Sequence, residues 1–171
     1  MTVGTTRTTG NAGVSINLTA FLAGDLSEIR VPATVNPFGW SYGTGAGAVN
    51  VIYADTIVLT DGSSTTLDLL ASGALLDIFG RALTMSAIKF LYVKNTSTDS
   101  ALLMGGAAAL DLDIWAATSD ITIIQPGGVF LWIDPSASGV STAVNKNLYL
   151  EDNAAGGAGN KPIEVIAMGL D

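Results

Sequence analysis

Apolar and polar residues alternate with a period of two through Val14-Ser-Ile16-Asn-Leu18-Thr-Ala20-Phe21, which places the apolar positions on one face of a β-strand. Glu28 to Val35 reads as a second strand, in which Pro32 marks an edge or a bulge. Asn36 to Gly47 reads as a loop that sets Phe38, Trp40 and Tyr42 among glycines. Two further strands, Val49 to Leu59 and Ser64 to Leu70, flank Thr60-Asp-Gly62-Ser, whose Asp-Gly pair suits a hairpin turn. Ala74 to Gly80 predicts a short helical turn capped by Gly80. From Leu83 to Lys94 both alternating sets are largely apolar, the pattern of a central strand covered on both sides.

The second half continues in the same manner. Ala101-Leu-Leu-Met104 is a short strand closed by Gly105-Gly106. Ile121 to Ile124 leads into Gln125-Pro-Gly-Gly128, where Pro then Gly at the central positions specify a type II turn. Val129 to Ile133 returns from it, and Asp134-Pro135 stops that strand. Asn147 to Leu150 and Ile163 to Met168 are the last strands, separated by a glycine-rich loop. About eight to ten short strands with no long 3.6-period segment predict an all-β chain, an antiparallel two-sheet sandwich or a barrel. The Thr- and Gly-rich residues 1–12 read as a flexible or partner-ordered arm, and 13–171 as a single β-sandwich domain.

Composition narrows the function. At 171 residues the chain is long enough to bury about two-thirds of its surface without disulfides or metal. Hydrophobic residues make up 49% and charged residues only 13%, against a usual charged share of about 25%. Such a surface either meets another protein over much of its area or is the neutral Ser/Thr/Asn surface of an extracellular β-protein. The net charge is −8, and the seven bases (Arg7, Arg30, Arg81, Lys89, Lys94, Lys146, Lys161) never cluster. Nucleic acid and anionic membranes are therefore unexpected partners. No apolar signal segment opens the chain and no uninterrupted apolar stretch is long enough to span a bilayer.

The chain holds no His and no Cys, which excludes Ser-His-Asp and Cys-His catalysis. A Ser–Lys dyad is formally open, but nothing singles out one Ser. Paired carboxylates for glycoside hydrolysis would have to come from Asp111, Asp113 and Asp120, or from Asp55 and Asp61. Asp111 and Asp113 flank Leu112, so on a strand both face solvent if Leu112 faces in. Asp111-Leu-Asp113 and Glu151-Asp152-Asn153 carry the hard oxygens that Ca²⁺ prefers, yet neither has the spacing of a calcium loop, and turn-capping explains them more simply. No phosphate-cradling Lys-Ser/Thr follows any glycine cluster. The expectation is a non-enzymatic protein with no catalytic residue, no cofactor and no metal.

Phe38, Trp40 and Tyr42 leave three readings open: a stacking platform for sugars, anchors at a protein interface, or a plug at one end of the sandwich. With the arm residues Thr2, Val3, Thr5 and Arg7 they form the candidate partner contacts.

From Leu83 onward the chain resembles small tailed-bacteriophage virion proteins of the capsid decoration, or cement-like, β-sandwich group. The phrases that carry the likeness come in order: Ile88-Lys-Phe-Leu-Tyr-Val-Lys-Asn-Thr-Ser97, Gly105-Gly106, and Ile121-Thr-Ile-Ile-Gln-Pro-Gly-Gly-Val-Phe-Leu-Trp-Ile-Asp-Pro-Ser136. A polar strand near Leu148 and Ile163-Glu-Val-Ile-Ala-Met-Gly-Leu170 follow, and Asp68-Leu-Leu and Leu76-Asp-Ile-Phe-Gly-Arg-Ala-Leu-Thr84 extend it upstream. The resemblance implies a sandwich of jelly-roll type made in the host cytoplasm and placed on the capsid exterior of the virion. It also implies a homotrimer around local threefold axes, bound to the major capsid protein and stabilising the shell. The alternative from a different class is a carbohydrate- or receptor-binding module of a tail fibre, carried by exposed Trp40 and Tyr42.

Overall fold

The computed structural model describes residues 10–21, 28–70, 75–77, 80–106, 111–115, 120–153 and 160–171, with the stretch 10–39 described by its backbone. All regular structure among them is β. The strands are β1 (Gly10–Phe21), β2 (Glu28–Tyr42), β3 (Ala48–Val49), β4 (Val51–Leu59), β5 (Ser64–Asp68) and β6 (Ala87–Asn95). They continue with β7 (Leu102–Gly105), β8 (Ile121–Ile124), β9 (Val129–Ile133), β10 (Val140–Ser141), β11 (Asn147–Asp152) and β12 (Lys161–Leu170).

Two antiparallel sheets form the body. In one, β12 lies between β4 and β6, and the far edge of β6 pairs with β9 and then β10. In the other the order is β5-β11-β7-β8. With β9 and β10 counted as one broken edge strand, the chain alternates between the sheets in adjacent pairs. The first strand of the body pairs the last (β4 with β12), the second the seventh (β5 with β11), the third the sixth (β6 with β9/β10), and the fourth the fifth (β7 with β8). This is the pattern of one long hairpin rolled on itself.

The main core lies between the two sheets. Tyr53, Leu91, Val93, Val165 and Ala167 come from one, and Leu67, Leu102, Met104, Leu148 and Leu150 from the other. The expected antiparallel sandwich is thus present. Asn95, buried at the end of β6, ties the sheets together by donating its Nδ2 hydrogens to the carbonyls of Ser100 and Ile124, at 2.8 and 3.0 Å.

A third element stands apart from the sandwich pairing. β1 and β2 form a long antiparallel ribbon from Gly10↔Trp40 to Phe21↔Glu28. Among the described residues the backbone of this ribbon pairs with other strands only through the short parallel pairing of β2 with β3. Its one register shift sets Pro32 and Ala33 opposite Asn17, so Pro32 sits in a bulge, where its missing N–H costs no ladder bond.

Several expectations are corrected. β1 runs across residue 12, and β1 and β2 pair with each other outside the two sheets of the sandwich. The segment expected to be a loop from Asn36 continues β2 as far as Tyr42, because pairing with β1 outweighs its glycines. The two turns have the expected chemistry. Gly62 and Gly127 both take positive φ, and Gly128 N–H donates to the Gln125 carbonyl at 2.8 Å. Neither closes a hairpin, however; each carries the chain from one sheet to the other. The helical turn expected at Ala74–Gly80 is, in its described residues, a tight loop in which Leu76 bridges Ala82 and Asp77 holds Arg81 by a 2.6 Å ion pair.

Candidate interaction surface

The β6 strand explains why two faces matter. Its inward residues Leu91 and Val93 are sealed in the core. Its outward residues Phe90 and Tyr92 belong to a second apolar cluster on the outer side of the same sheet. Strand alternation adds Ile52 of β4, Ile166 and Met168 of β12, and Leu131 and Ile133 of β9 to that outer cluster. Trp40 covers part of it: its side chain is 4% exposed and packs with Val49, Phe90 and Met168. Beyond Trp40, Ile52, Tyr92, Leu131, Ile133 and Ile166 stay partly exposed; their inward neighbours on β4, β6 and β12 are closed off, while Phe130 and Trp132 of β9 are partly buried. The expectation that β6 is covered on both sides holds on the inner side and only under Trp40 on the outer.

Lys89 fixes Trp40 in place. It lies at the β6 residue skipped by the register with β12, where Phe90 pairs Met168 and Ile88 pairs Gly169. Its side chain is wholly buried. The ammonium donates to the carbonyls of Gly45 and Ala48, each at 2.9 Å, and sits 5.8 Å from the centre of the Trp40 ring. Desolvation lowers the Lys89 pKa from its ordinary value, and the charge of Asp134 offsets part of that. Gly139 lets the neighbouring loop close over this site. A Cβ there would lie 2.6 Å from the Ile88 carbonyl and 2.7 Å from Lys89 Cγ, at a φ of +65°. The loop at the base of the ribbon is therefore clamped to the sandwich by one buried cation.

The ribbon carries the other half of the surface. Register places Ala12, Val14, Ile16, Leu18 and Ala20 on the same face as Ile29, Val31 and Phe38, with Thr34 and Asn36 between them, and this is also the face of Trp40. The opposite face takes Asn11, Ser15, Thr19, Glu28 and Arg30, with Val35 and Phe21. The ribbon is amphipathic, and its apolar side continues the side that Trp40 seats on the sheet.

The contact residues named from sequence separate here. Thr2, Val3, Thr5 and Arg7 lie outside the described residues. Phe38 takes a register position opposite Ala12. Trp40 is buried, and Tyr42 is 48% exposed. With Trp40 buried and Tyr42 exposed, these two rings do not form one exposed stacking platform, and Trp40 packs on the outer face of a sheet rather than at an end of the sandwich. Sequence reasoning missed Lys89, whose one signal is a cation inside an apolar strand. It also missed a second exposed patch on the edge strand β8, where Ile121 and Ile123 are 52% and 56% exposed and Ile123 pairs Leu103.

The acidic candidates are dispersed. Asp111 is buried and Asp113 exposed, so the expected shared outward face does not form, because residues 111–113 do not run as a regular strand. Asp113 accepts from Asn145 Nδ2 at 2.7 Å. Asp55 accepts from the Thr56 N–H, Asp61 lies 3.9 Å from Lys161, and Asp120 immediately precedes β8. Glu151 accepts from the Tyr149 hydroxyl at 2.9 Å, while Asp152 is sealed against Lys161 at 2.8 Å. Among the described residues no three His, Cys, Asp or Glu side chains converge as a metal site. Compared with known protein families, curated proteins and solved structures, the chain matches none.

Proposed function

We propose that this chain is a non-enzymatic structural protein of a tailed-phage virion, one that attaches to the capsid exterior and reinforces the shell. Its partner in this reading is the major capsid protein, and it is seated as a homotrimer. The observation that carries the reading is the amphipathic ribbon beside a partly open apolar sheet face, since surfaces of this kind are built to be covered by protein. The first-with-last, second-with-seventh pairing supports a jelly roll, a fold that capsid and lectin domains share. The ordered phrases from Leu83 onward and the low charge content support the virion assignment. The carbohydrate-binding alternative retains Tyr42 as its exposed ring, with Trp40 withdrawn, and binding on a glycan array that is lost in Tyr42→Ala would favour it.

The test is co-sedimentation of the purified chain with shells of the encoding phage from which it has been stripped. Saturation at a fixed ratio to the major capsid protein is expected. A chain lacking residues 2–9, which leaves β1 whole, is expected to stay folded and to pellet far less. Full-length protein that remains in the supernatant at every concentration contradicts the proposal.

A further inference from the structure

The ribbon and the outer sheet face each carry an apolar side, and neither is closed by the other within one chain. Strands β4, β6 and β12 provide the comparison. Facing the second sheet, Val51, Leu91, Val93, Val165 and Ala167 are buried, whereas Ile52, Tyr92 and Ile166 on the outer face keep partial exposure. A layer seated along that outer face would seal it as the second sheet seals the inner one. A two-stranded ribbon, for its part, is marginally stable until its apolar side packs on something.

We infer that copies of this chain exchange ribbons: the apolar face of β1–β2 from one copy seats on the outer face of the five-stranded sheet of another. Three features favour a second copy as the occupant. Every chain carries both halves in a one-to-one ratio. Both halves lie on the same side, joined through Trp40. The area also suffices. Twelve residues at about 3.4 Å give a ribbon about 40 Å long, and two strands at about 4.8 Å spacing give a face on the order of 400 Å². Seating that face buries about 800 Å² counted on both surfaces. In a reciprocal two-copy exchange both seatings join the same pair of chains and sum to about 1,600 Å², the usual size of a stable interface, whereas in a ring of three each neighbouring pair shares one seating of about 800 Å². The segment after Trp40, with Gly43, Gly45 and Gly47, supplies the turn from which the ribbon departs, and Lys89 fixes its root. The inference goes beyond the capsid reading and stands apart from it.

The absence of native cysteine makes the experiment clean. Ile16→Cys and Leu131→Cys are prepared as separate full-length proteins, mixed and oxidised, while the unmodified chain is weighed by sedimentation equilibrium. A closed oligomer is expected, together with a covalent species that needs both variants and is absent when either is oxidised alone. Ile16→Glu and Leu131→Glu, each checked for native circular dichroism and cooperative melting, are expected to reduce the mass to that of one chain. A monomer at the highest soluble concentration overturns the inference. So does a disulfide that forms only within the Ile16→Cys/Leu131→Cys double variant, or an oligomer that both Glu variants leave intact. A monomer that still pellets with shells would remove ribbon exchange and leave the capsid reading standing.

Discussion

At the scale of single residues, two buried lysines follow opposite electrostatic logic. Lys161 is matched: its ammonium meets Asp152 at 3.0 and 2.8 Å, and Asp152 also accepts the Gly62 N–H at 2.9 Å. Burial pushes the Asp152 carboxyl up, but the Lys161 ammonium and the Gly62 N–H outweigh it and hold the carboxyl below its ordinary 3.8. In acid the unfolded chain therefore takes this proton first. Stability from the pair is complete above about pH 4 and is lost as pH falls through the lower, folded pKa. Asp152→Ala leaves the buried Lys161 ammonium only the longer 3.9 Å contact with Asp61 and is expected to cost about 3 kcal/mol in urea denaturation. An Asp152→Leu/Lys161→Met double variant, which removes both charges, is expected to lose far less.

Lys89 has carbonyls and a ring for partners, and its pKa is lowered. Between that lowered value and the ordinary 10.5 the unfolded chain binds more protons, so this residue makes stability rise with pH over that window. Tyr53 acts in the opposite sense. Burial, aided by Asp55, raises its pKa to about 12, so its contribution falls away between pH 10 and 12. Lys89→Met is expected to abolish the alkaline rise and to leave the Tyr53 decline, which urea midpoints measured against pH would separate. The same substitution leaves the Ala48 carbonyl without its donor, at a cost of about 1–3 kcal/mol.

At the scale of elements, close approach dictates where side chains are forbidden. Gly169 lies where the register of β12 on β6 shifts, and a Cβ there would sit 2.0 Å from the Ala87 carbonyl and 2.8 Å from Met85 Cγ. Gly169→Ala is expected to destabilise by about 1–3 kcal/mol or more, because backbone rather than a flexible tip must yield. A chain of this length should then melt about 2–4 °C lower per kcal/mol, readable by calorimetry.

Much of this level was legible in the sequence, since period-two alternation and turn chemistry are local. The strand at Val14, the bulge at Pro32 and the turns at Gly62 and Gly127 all follow from it. Partner choice was not legible. Asp61-Gly62 and Gln125-Pro-Gly-Gly128 look like hairpin turns because local chemistry sets the bend, whereas long-range pairing of β4 with β12 and of β8 with β7 decides which sheet receives each strand. Asp111 defeated alternation for the same reason: its burial follows from a bridge to Asn147, 36 residues away in sequence. Trp40 could be placed as interfacial or buried from its type alone, but the cation beneath it could not.

At the scale of the whole molecule, a chain with 13% charged residues closes one core between two sheets and leaves a second apolar cluster partly open outside it. That second cluster, with the ribbon and the β8 edge, makes attachment the common thread of the proposals, and repetition over a shell would turn modest contacts into lasting ones. The virion proposal is tested most directly by quantitative mass spectrometry of purified virions of a tailed phage whose genome carries this sequence. The account predicts a copy number comparable to that of the major capsid protein. Absence of the chain from virions would contradict it, and a handful of copies per particle would move the protein to the tail.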